Sequence, residues 1–168
     1  VWLLPKGLTL DGYKELFKHS EIWTGYLNTI LYTLVGTAIG LFVNITAAYA
    51  LSRRDLVGRG FLNLLFVFTM FFNGGLIPLY LVFVRLNLID TRAAVVLCTA
   101  FNVFNMVILR TSFMSIPEAL EESARLDGAN DLTILFRIVL PLSKASVAVI
   151  TLFVAVAIWN SWFAAAIY

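Results

Sequence analysis

The sequence predicts an all-α protein, a polytopic bundle of transmembrane helices, and two observations carry that prediction. Hydrophobic residues make up 61% of the 168 residues and charged residues only 13%, whereas a soluble domain carries about 25% charge. Charges are also absent from four long runs, residues 22–52, 60–84, 93–109 and 145–168. A helix needs about 20 apolar residues to cross a membrane, and each run reaches that length, the third by taking in neighbouring residues. We therefore expect four spans.

A more polar segment precedes the first run. We expect residues 1–21 to be an extracytoplasmic segment and residues 22–168 to form one transmembrane domain. The chain begins at Val1 without a signal-like basic region and ends inside an apolar run at Tyr168. We expect one further span at each end, and thus six in the full protein. Apolar residues at helical spacing predict a short helix on the outer face: Leu10, Tyr13, Leu16 and Phe17.

Several function classes lose support from composition. A net charge of +2 is too small to indicate a nucleic-acid partner. The single Cys98 cannot form a disulfide framework within the chain, and the single His19 indicates no metal site. Because the spans contain no acidic residue, the sequence also argues against a proton-coupled carrier built on an intramembrane carboxylate.

The loops divide between two sides of the membrane. With four spans, residues 1–21 and 85–92 lie on the side where residue 168 ends, and residues 52–60 and 110–144 lie on the other. The second side has the short basic cluster Arg53, Arg54 and Arg59, the kind of loop that stays in the cytoplasm. We therefore expect residues 114–141 to form a cytoplasmic loop.

The spans contain small and polar residues at informative places. Gly36 and Gly40 form a GxxxG pattern that lets a neighbouring helix approach closely. The second span contains Asn73, Gly74, Gly75 and Pro78, which predict an interrupted helix, either an ordinary kink or part of the substrate route. Asparagines in apolar surroundings need another helix or an aqueous route as partner, and besides Asn73 we single out Asn44, Asn102, Asn105 and Asn160. Asn102 and Asn105 are the alternative route.

A charged, glycine-containing segment separates two apolar runs at residues 114–141. Ser115 and Glu118 have the spacing of a capping box, which predicts a helix that begins after Ser115. Glu121 and Arg125 are placed for an i,i+4 ion pair within that helix. Gly128 can adopt the left-handed conformation that ends it.

A second short helix follows the turn. We expect it to run from Asn130 to Val139 and to stop before Pro141, because proline ends most helices. The result is a hairpin of two helices whose apolar face either folds back on this chain or docks into a partner.

The hairpin sequence resembles a known signature. ESARLDGA at residues 122–129, followed by RIVLP at residues 137–141, resembles the "EAA" motif of permease subunits in ABC importers. LNT, AAYAL and WNSW in the spans are similar to the carbohydrate-uptake, maltose-type branch, and residues 72–91 resemble a subgroup for complex oligosaccharides. Ser123 and Ala145 are the small departures, in place of an Ala and a Pro.

The resemblance implies a type I importer fold and a set of partners. It implies a homologous second permease, two ATPase subunits that use ATP and Mg, an extracytoplasmic solute-binding protein, and the lipid of a bacterial inner membrane. The hairpin would be the coupling helix that docks into the ATPase. The residues assigned to coupling by the motif and its surroundings are Glu121, Glu122, Ala124, Asp127, Gly128, Ala129, Leu140 and Pro141.

The leading interpretation is therefore a sugar or oligosaccharide permease subunit without an enzymatic activity or cofactor of its own. The sequence has no G-x-x-x-x-G-K-[ST] loop, which a nucleotide site of that type needs. Three alternatives stay open. In the first, the protein is an ABC permease whose cargo is an amino acid, an oxyanion or a metal. In the second, it is a secondary transporter or channel. In the third, it is a membrane enzyme, although the sequence shows no catalytic cluster.

Overall fold

The computed structural model describes residues 10–168, and these residues are helical without a strand. The amphipathic segment forms α1 (Asp11–Lys18), and α2 (Ser20–Ser52) follows as one unbroken helix. At 1.5 Å per residue, α2 is about 50 Å long and exceeds the hydrocarbon core of a membrane. The first charge-free run is thus confirmed as a single helix long and apolar enough to span.

The second run forms two helices, α3 (Arg59–Phe71) and α4 (Leu76–Arg85), which are bent by 113° at the break. The interruption is confirmed, but it is a turn and not a kink. Gly75 adopts φ 85°, and its N–H donates to Asn73 Oδ1 at 2.9 Å. A positive φ favours glycine.

We predicted the break from the glycines and Pro78 together, and the structure bears out the glycines but not Pro78. Pro78 is the third residue of α4, within the first turn, where a backbone N–H has no partner inside the helix. Proline therefore costs no hydrogen bond at this position. The glycine turn that precedes α4 causes the interruption.

The third run is also divided, into α5 (Arg92–Thr99) and α6 (Val103–Met114), with a bend of 49°. The break leaves the Ala100 carbonyl outside a helix. Asn44 Nδ2 in α2 donates to this carbonyl at 3.3 Å and to the Gly40 carbonyl at 2.7 Å. A side chain of one span thus satisfies the interrupted backbone of another, as membrane burial requires.

The last run forms α10 (Lys144–Trp159) and α11 (Trp162–Ile167). Between them, Asn160 Nδ2 donates to the Val156 carbonyl at 2.8 Å and Ser161 Oγ donates to the Ile158 carbonyl at 2.6 Å. Such local bonds give the backbone an alternative to continuing the helix. Two stretches of the described residues, Ser20–Ser52 and Lys144–Ile167, are each long and apolar enough to cross a membrane. The number of spans rises to four if each bent pair counts as one.

The bundle is built around α2, which packs against α5, α6 and α10. The GxxxG face makes the close approach: a Cβ on Gly36 would lie 2.8 Å from Ile158 Cδ1, and a Cβ on Gly40 would lie 3.1 Å from Val154 Cγ1. Val154 and Ile158 belong to the buried core cluster, whose fully buried side chains include Leu109, Phe113, Ile134 and Ile150.

Hydrogen bonds show which loops and helix ends lie together at each end of the bundle. The Asp90 N–H donates to the Tyr168 carbonyl, so the loop after α4 meets the end of α11. At the other end, Arg110 Nε in α6 donates to the Leu51 carbonyl at 3.0 Å and satisfies the last turn of α2. These are the same two ends that the alternation of loops predicts.

Candidate coupling site

The charged segment forms a helical hairpin at the Arg53 end of the bundle. Its first helix is α7 (Glu118–Leu126), and Pro117 is its N-cap. The capping box that we predicted at Ser115 was wrong, because Ser115 Oγ donates backward to the Ser112 carbonyl at 2.7 Å. Proline at the helix start fixes φ without loss of a needed donor, so α7 begins without a side-chain cap.

The turn that ends α7 has the form that the sequence predicts. Gly128 has φ 82°. The Ala129 N–H donates to the Ala124 carbonyl at 2.9 Å and the Gly128 N–H to the Arg125 carbonyl at 3.0 Å, the two bonds of a Schellman motif. A Cβ on Gly128 would meet nothing within 4 Å. Backbone conformation, and not close packing, therefore requires glycine here.

The second helix begins as predicted but ends later. Asn130 caps α8 (Asp131–Ile134) through its side chain, which accepts from the Thr133 N–H at 2.8 Å. A π-helical turn (Leu135–Val139) follows and continues into α9 (Leu140–Leu142). Our expectation that the helix stops before Pro141 was wrong. The π turn widens the backbone and shifts its hydrogen bonds by one residue, so the helix continues past a proline that an ordinary turn would exclude.

Two ion pairs fasten α7 to the end of α2, and we call them the clamp: Arg53–Glu121 and Arg54–Glu118. The Arg53–Glu121 pair is nearly buried, with 13% and 12% of the two side chains exposed. The Arg54–Glu118 pair, at 2.9 Å, is 77% and 52% exposed. The Arg53 guanidinium also lies 4.4 Å above the centre of the Tyr49 ring. Only the Arg53 pair is buried, so only there does loss of one partner leave an uncompensated charge away from water.

The Glu121–Arg125 ion pair that we predicted from spacing was wrong. Glu121 binds Arg53 and not Arg125. Arg125 instead contacts Asp131, at 2.6 Å, and joins α7 to α8 across the turn. Residues four apart in a helix are within reach of each other, but a partner from another element with better burial takes precedence.

The eight motif residues divide between two faces of the hairpin. Four lie toward their own chain: Glu121, Ala124, Ala129 and Leu140. Four are exposed: Glu122, Asp127, Gly128 and Pro141. The first set holds the hairpin on the bundle, and the second set is available to a partner.

The exposed face of the hairpin also carries large apolar side chains. Leu126 is 89% exposed, Leu132 63% and Phe136 58%. The sequence analysis predicts an apolar face on the hairpin but does not identify Leu132 and Phe136 as part of it. The hairpin thus exposes three large apolar side chains as well as the acidic residues Glu122 and Asp127.

The two alternative sets of residues proposed for the substrate route lie at two different helix breaks. Asn73, Gly74, Gly75 and Pro78 are exposed at the α3–α4 break. Asn102 is the N-cap of α6, where its side chain accepts from the Asn105 N–H at 3.2 Å, and Asn105 is buried. Asn102 thus has a structural role, and the route through either set stays a prediction.

Known proteins resemble this chain closely. The pattern of the family described as "Binding-protein-dependent transport system inner membrane component" matches residues 36–168. The polygalacturonan/rhamnogalacturonan transport system permease protein YtcP of Bacillus subtilis is 48% identical over 99% of this chain and 58% of its own length. The melibiose/raffinose/stachyose import permease protein MelC of the same bacterium is 30% identical over 96% of this chain and 60% of its own length.

A solved structure agrees with these relatives. A chain of a bacterial ABC transporter involved in the import of the acidic polysaccharide alginate has a TM-score of 0.90 and 41% identity, over 95% of this chain and 57% of that one. The chain thus spans less than two thirds of the length of the relatives it matches. This chain belongs to the family of binding-protein-dependent transport system inner membrane components.

Proposed function

We propose that this chain is the permease subunit of an ATP-driven importer for oligosaccharides, and that it forms half of the translocation pathway. The observation that carries the proposal is the helical hairpin, which is clamped to the unbroken α2 and presents an exposed acidic and apolar face. An apolar surface of this kind needs a partner. The partner we propose is the ATPase subunit, in an assembly with a second permease, a second ATPase and an extracytoplasmic binding protein in the bacterial inner membrane.

The cargo proposal rests on the relatives. Their names include polygalacturonan, rhamnogalacturonan, arabino-oligosaccharides and raffinose, and the related solved structure is of a transporter involved in the import of alginate. All are saccharides, although they differ in charge and length. An oligosaccharide is therefore the cargo class that the family membership supports.

Charge reversal on the exposed face tests the coupling proposal. We expect Asp127→Lys and Glu122→Lys each to lower ATP-dependent uptake at least about tenfold while the protein still inserts in the membrane. A lysine placed against the cationic groups that would receive an acidic residue brings like charges together, which costs several kcal/mol in a docking contact. Stimulation of ATP hydrolysis by loaded binding protein should fall in parallel. Uptake in vesicles and ATP turnover of the reconstituted assembly are the two measurements.

Glu15→Lys is the matched control, since Glu15 is an exposed acid on α1, far from the hairpin in sequence. It should leave both measurements unchanged. Normal uptake by the two hairpin variants would contradict the coupling proposal, and uptake that survives loss of ATP would favour a secondary transporter.

We also propose that the α3–α4 break lines the substrate route. Single cysteines at positions 72–78, in a Cys98→Ala background, should react with a small water-soluble thiol reagent, because a thiolate forms in water and not in hydrocarbon. The rates should change when the ATPases are trapped with ATP, because access then opens to the other side. Seven unreactive positions in both states would exclude this segment and favour a route along Asn102 and Asn105.

A further inference from the structure

The short helix α1 (Asp11–Lys18) has an apolar side that the described part of the chain leaves exposed. At about 100° per residue, its large apolar side chains lie within about 120° of the helix circumference, and they are Leu10, Tyr13, Leu16 and Phe17. All four are exposed, and no residue of α1 is buried against residues 10–168. Because a helix of eight residues is marginally stable in water on its own, α1 needs a surface on which to pack.

The junction with α2 places α1 at the boundary of the membrane. A single residue outside the helical region, His19 with φ −78° and ψ 109°, separates the two helices. The charge-free run at residues 22–52 is about 46 Å long at 1.5 Å per residue, close to the about 40–45 Å of a bilayer with its headgroups. The start of this run therefore lies at headgroup level, where exposed aromatic residues such as Trp23 and Tyr26 are enriched.

A contact across the junction fixes the direction in which the apolar side points. The rings of Phe17 and Trp23 stack with 5.7 Å between their centroids. Trp23 Nε1 also donates to the Phe17 carbonyl at 3.3 Å, a carbonyl of the last turn that has no donor within α1. Phe17 thus faces the first turn of the span, and Tyr13, one helical turn earlier, faces the same way. The charged side of α1 faces away from the span.

The charged side of α1 carries no excess of either sign. Lys14 pairs with Asp11 at 3.3 Å and Lys18 pairs with Glu15 at 2.8 Å, and all four side chains are exposed. Anionic headgroups attract helices that have a surplus of Lys and Arg, and α1 has none. Burial of its apolar side is therefore the interaction that α1 offers.

We propose that α1 lies in the lipid–water interface of the leaflet at the end of the bundle opposite the clamp, with its apolar side in the lipid and its charged side in water. Interfacial helices of this type bury the apolar side by about 5–10 Å. Lipid fits better than a soluble protein, because a partner that arrives from the water meets the charged side first. The Phe17–Trp23 contact connects this anchor to α2, around which the bundle is built.

The test is a cysteine scan of positions 13–17 in the complete reconstituted importer, in a Cys98→Ala background. A nitroxide attached at each position is measured for collisions with oxygen, which concentrates in lipid, and with a nickel chelate, which stays in water. We expect the oxygen-to-nickel ratio to be severalfold higher at positions 13, 16 and 17 than at positions 14 and 15. The pattern should be the same in vesicles of phosphatidylcholine alone and with added phosphatidylglycerol, and with or without loaded binding protein.

A substitution on the apolar side tests burial directly. With the nitroxide at position 16, Phe17→Asp should lower the lipid-inserted fraction of α1 at least about tenfold, because a carboxylate replaces an apolar ring. Lys14→Asp is the control on the charged side and should leave the ratio unchanged. If Phe17→Asp fails to assemble, Tyr13→Asp makes the same change one turn away.

Each other outcome counts against the proposal. Equal ratios at all five positions would place α1 in water, and an unchanged ratio in Phe17→Asp would show that its ring is not in lipid. Shielding of positions 13, 16 and 17 from both oxygen and nickel would show that protein covers the apolar side, and shielding only with loaded binding protein would identify that protein as the partner. A pattern that requires phosphatidylglycerol would overturn apolar burial as the cause. None of these measurements depends on transport, so they stand apart from the test of the proposed function.

Discussion

Reversal of the charge at Arg53 should abolish uptake and destabilise the hairpin. In Arg53→Glu, Glu121 keeps its charge in a site where only 12% of its side chain is exposed, and the new carboxylate faces it. Loss of one partner of a buried ion pair costs about 3–5 kcal/mol, which is a large part of the stability of a small domain. We expect α7 to leave the end of α2. Protease cleavage near residue 120 and uptake by the assembly measure the two effects.

The neighbouring pair provides the control. Arg54→Glu makes the same change one residue away, but its pair with Glu118 is largely exposed, and such pairs contribute about 0–1 kcal/mol. Uptake should stay close to that of the wild type. If Arg54→Glu and Arg53→Glu behaved alike, burial of the Arg53 pair would not be what holds the hairpin.

The exchanged pair separates charge from position. Arg53→Glu combined with Glu121→Arg restores opposite charges, so we expect more uptake than in either single variant. Recovery should be incomplete, because the guanidinium above Tyr49 is replaced by a carboxylate, and the face of an aromatic ring attracts cations and not anions.

What the sequence predicts well are features that depend on neighbours along the chain. The four charge-free runs are helical, and Gly128 ends α7 because the residues beside it form the Schellman bonds. What it predicts poorly depends on distant residues. Glu121 has an acceptable partner at Arg125, and nothing in a helical repeat indicates that Arg53, which lies 68 residues away in the sequence, takes that place.

The same distinction explains the two prolines. Pro78 and Pro141 both predict interruption, yet Pro78 lies in a first turn and Pro141 follows a π-helical turn. In each case the backbone has adjusted upstream, through the Gly75 turn or through the wider helix. The position of a proline in the sequence indicates which backbone hydrogen bond is lost. Whether the helix needed that bond depends on the conformation of the surrounding backbone.

Gly40→Leu should prevent assembly of the bundle. A Cβ at Gly40 lies 3.1 Å from Val154 Cγ1 and 3.3 Å from the Ala100 carbonyl oxygen. That oxygen belongs to the α5–α6 break and accepts from Asn44, so it cannot move without loss of the bond that satisfies it. Overpacking costs about 1–3 kcal/mol for small additions, and a whole isobutyl group at a contact with backbone costs more. We expect little folded protein in the membrane fraction.

Gly36→Ala is the informative comparison, because its Cβ makes a shorter contact and should still be tolerated. The atom in the way, at 2.8 Å, is Ile158 Cδ1, the far end of a flexible side chain that can rotate. Replacement of glycine by alanine within a helix also gains about 0.5–1 kcal/mol, which offsets the rearrangement. Thermal unfolding of the purified assembly should therefore rank Gly36→Ala near the wild type and Gly40→Ala below it. The reverse order would mean that the α2–α10 contact, and not the carbonyl of the broken span, sets how closely these helices approach.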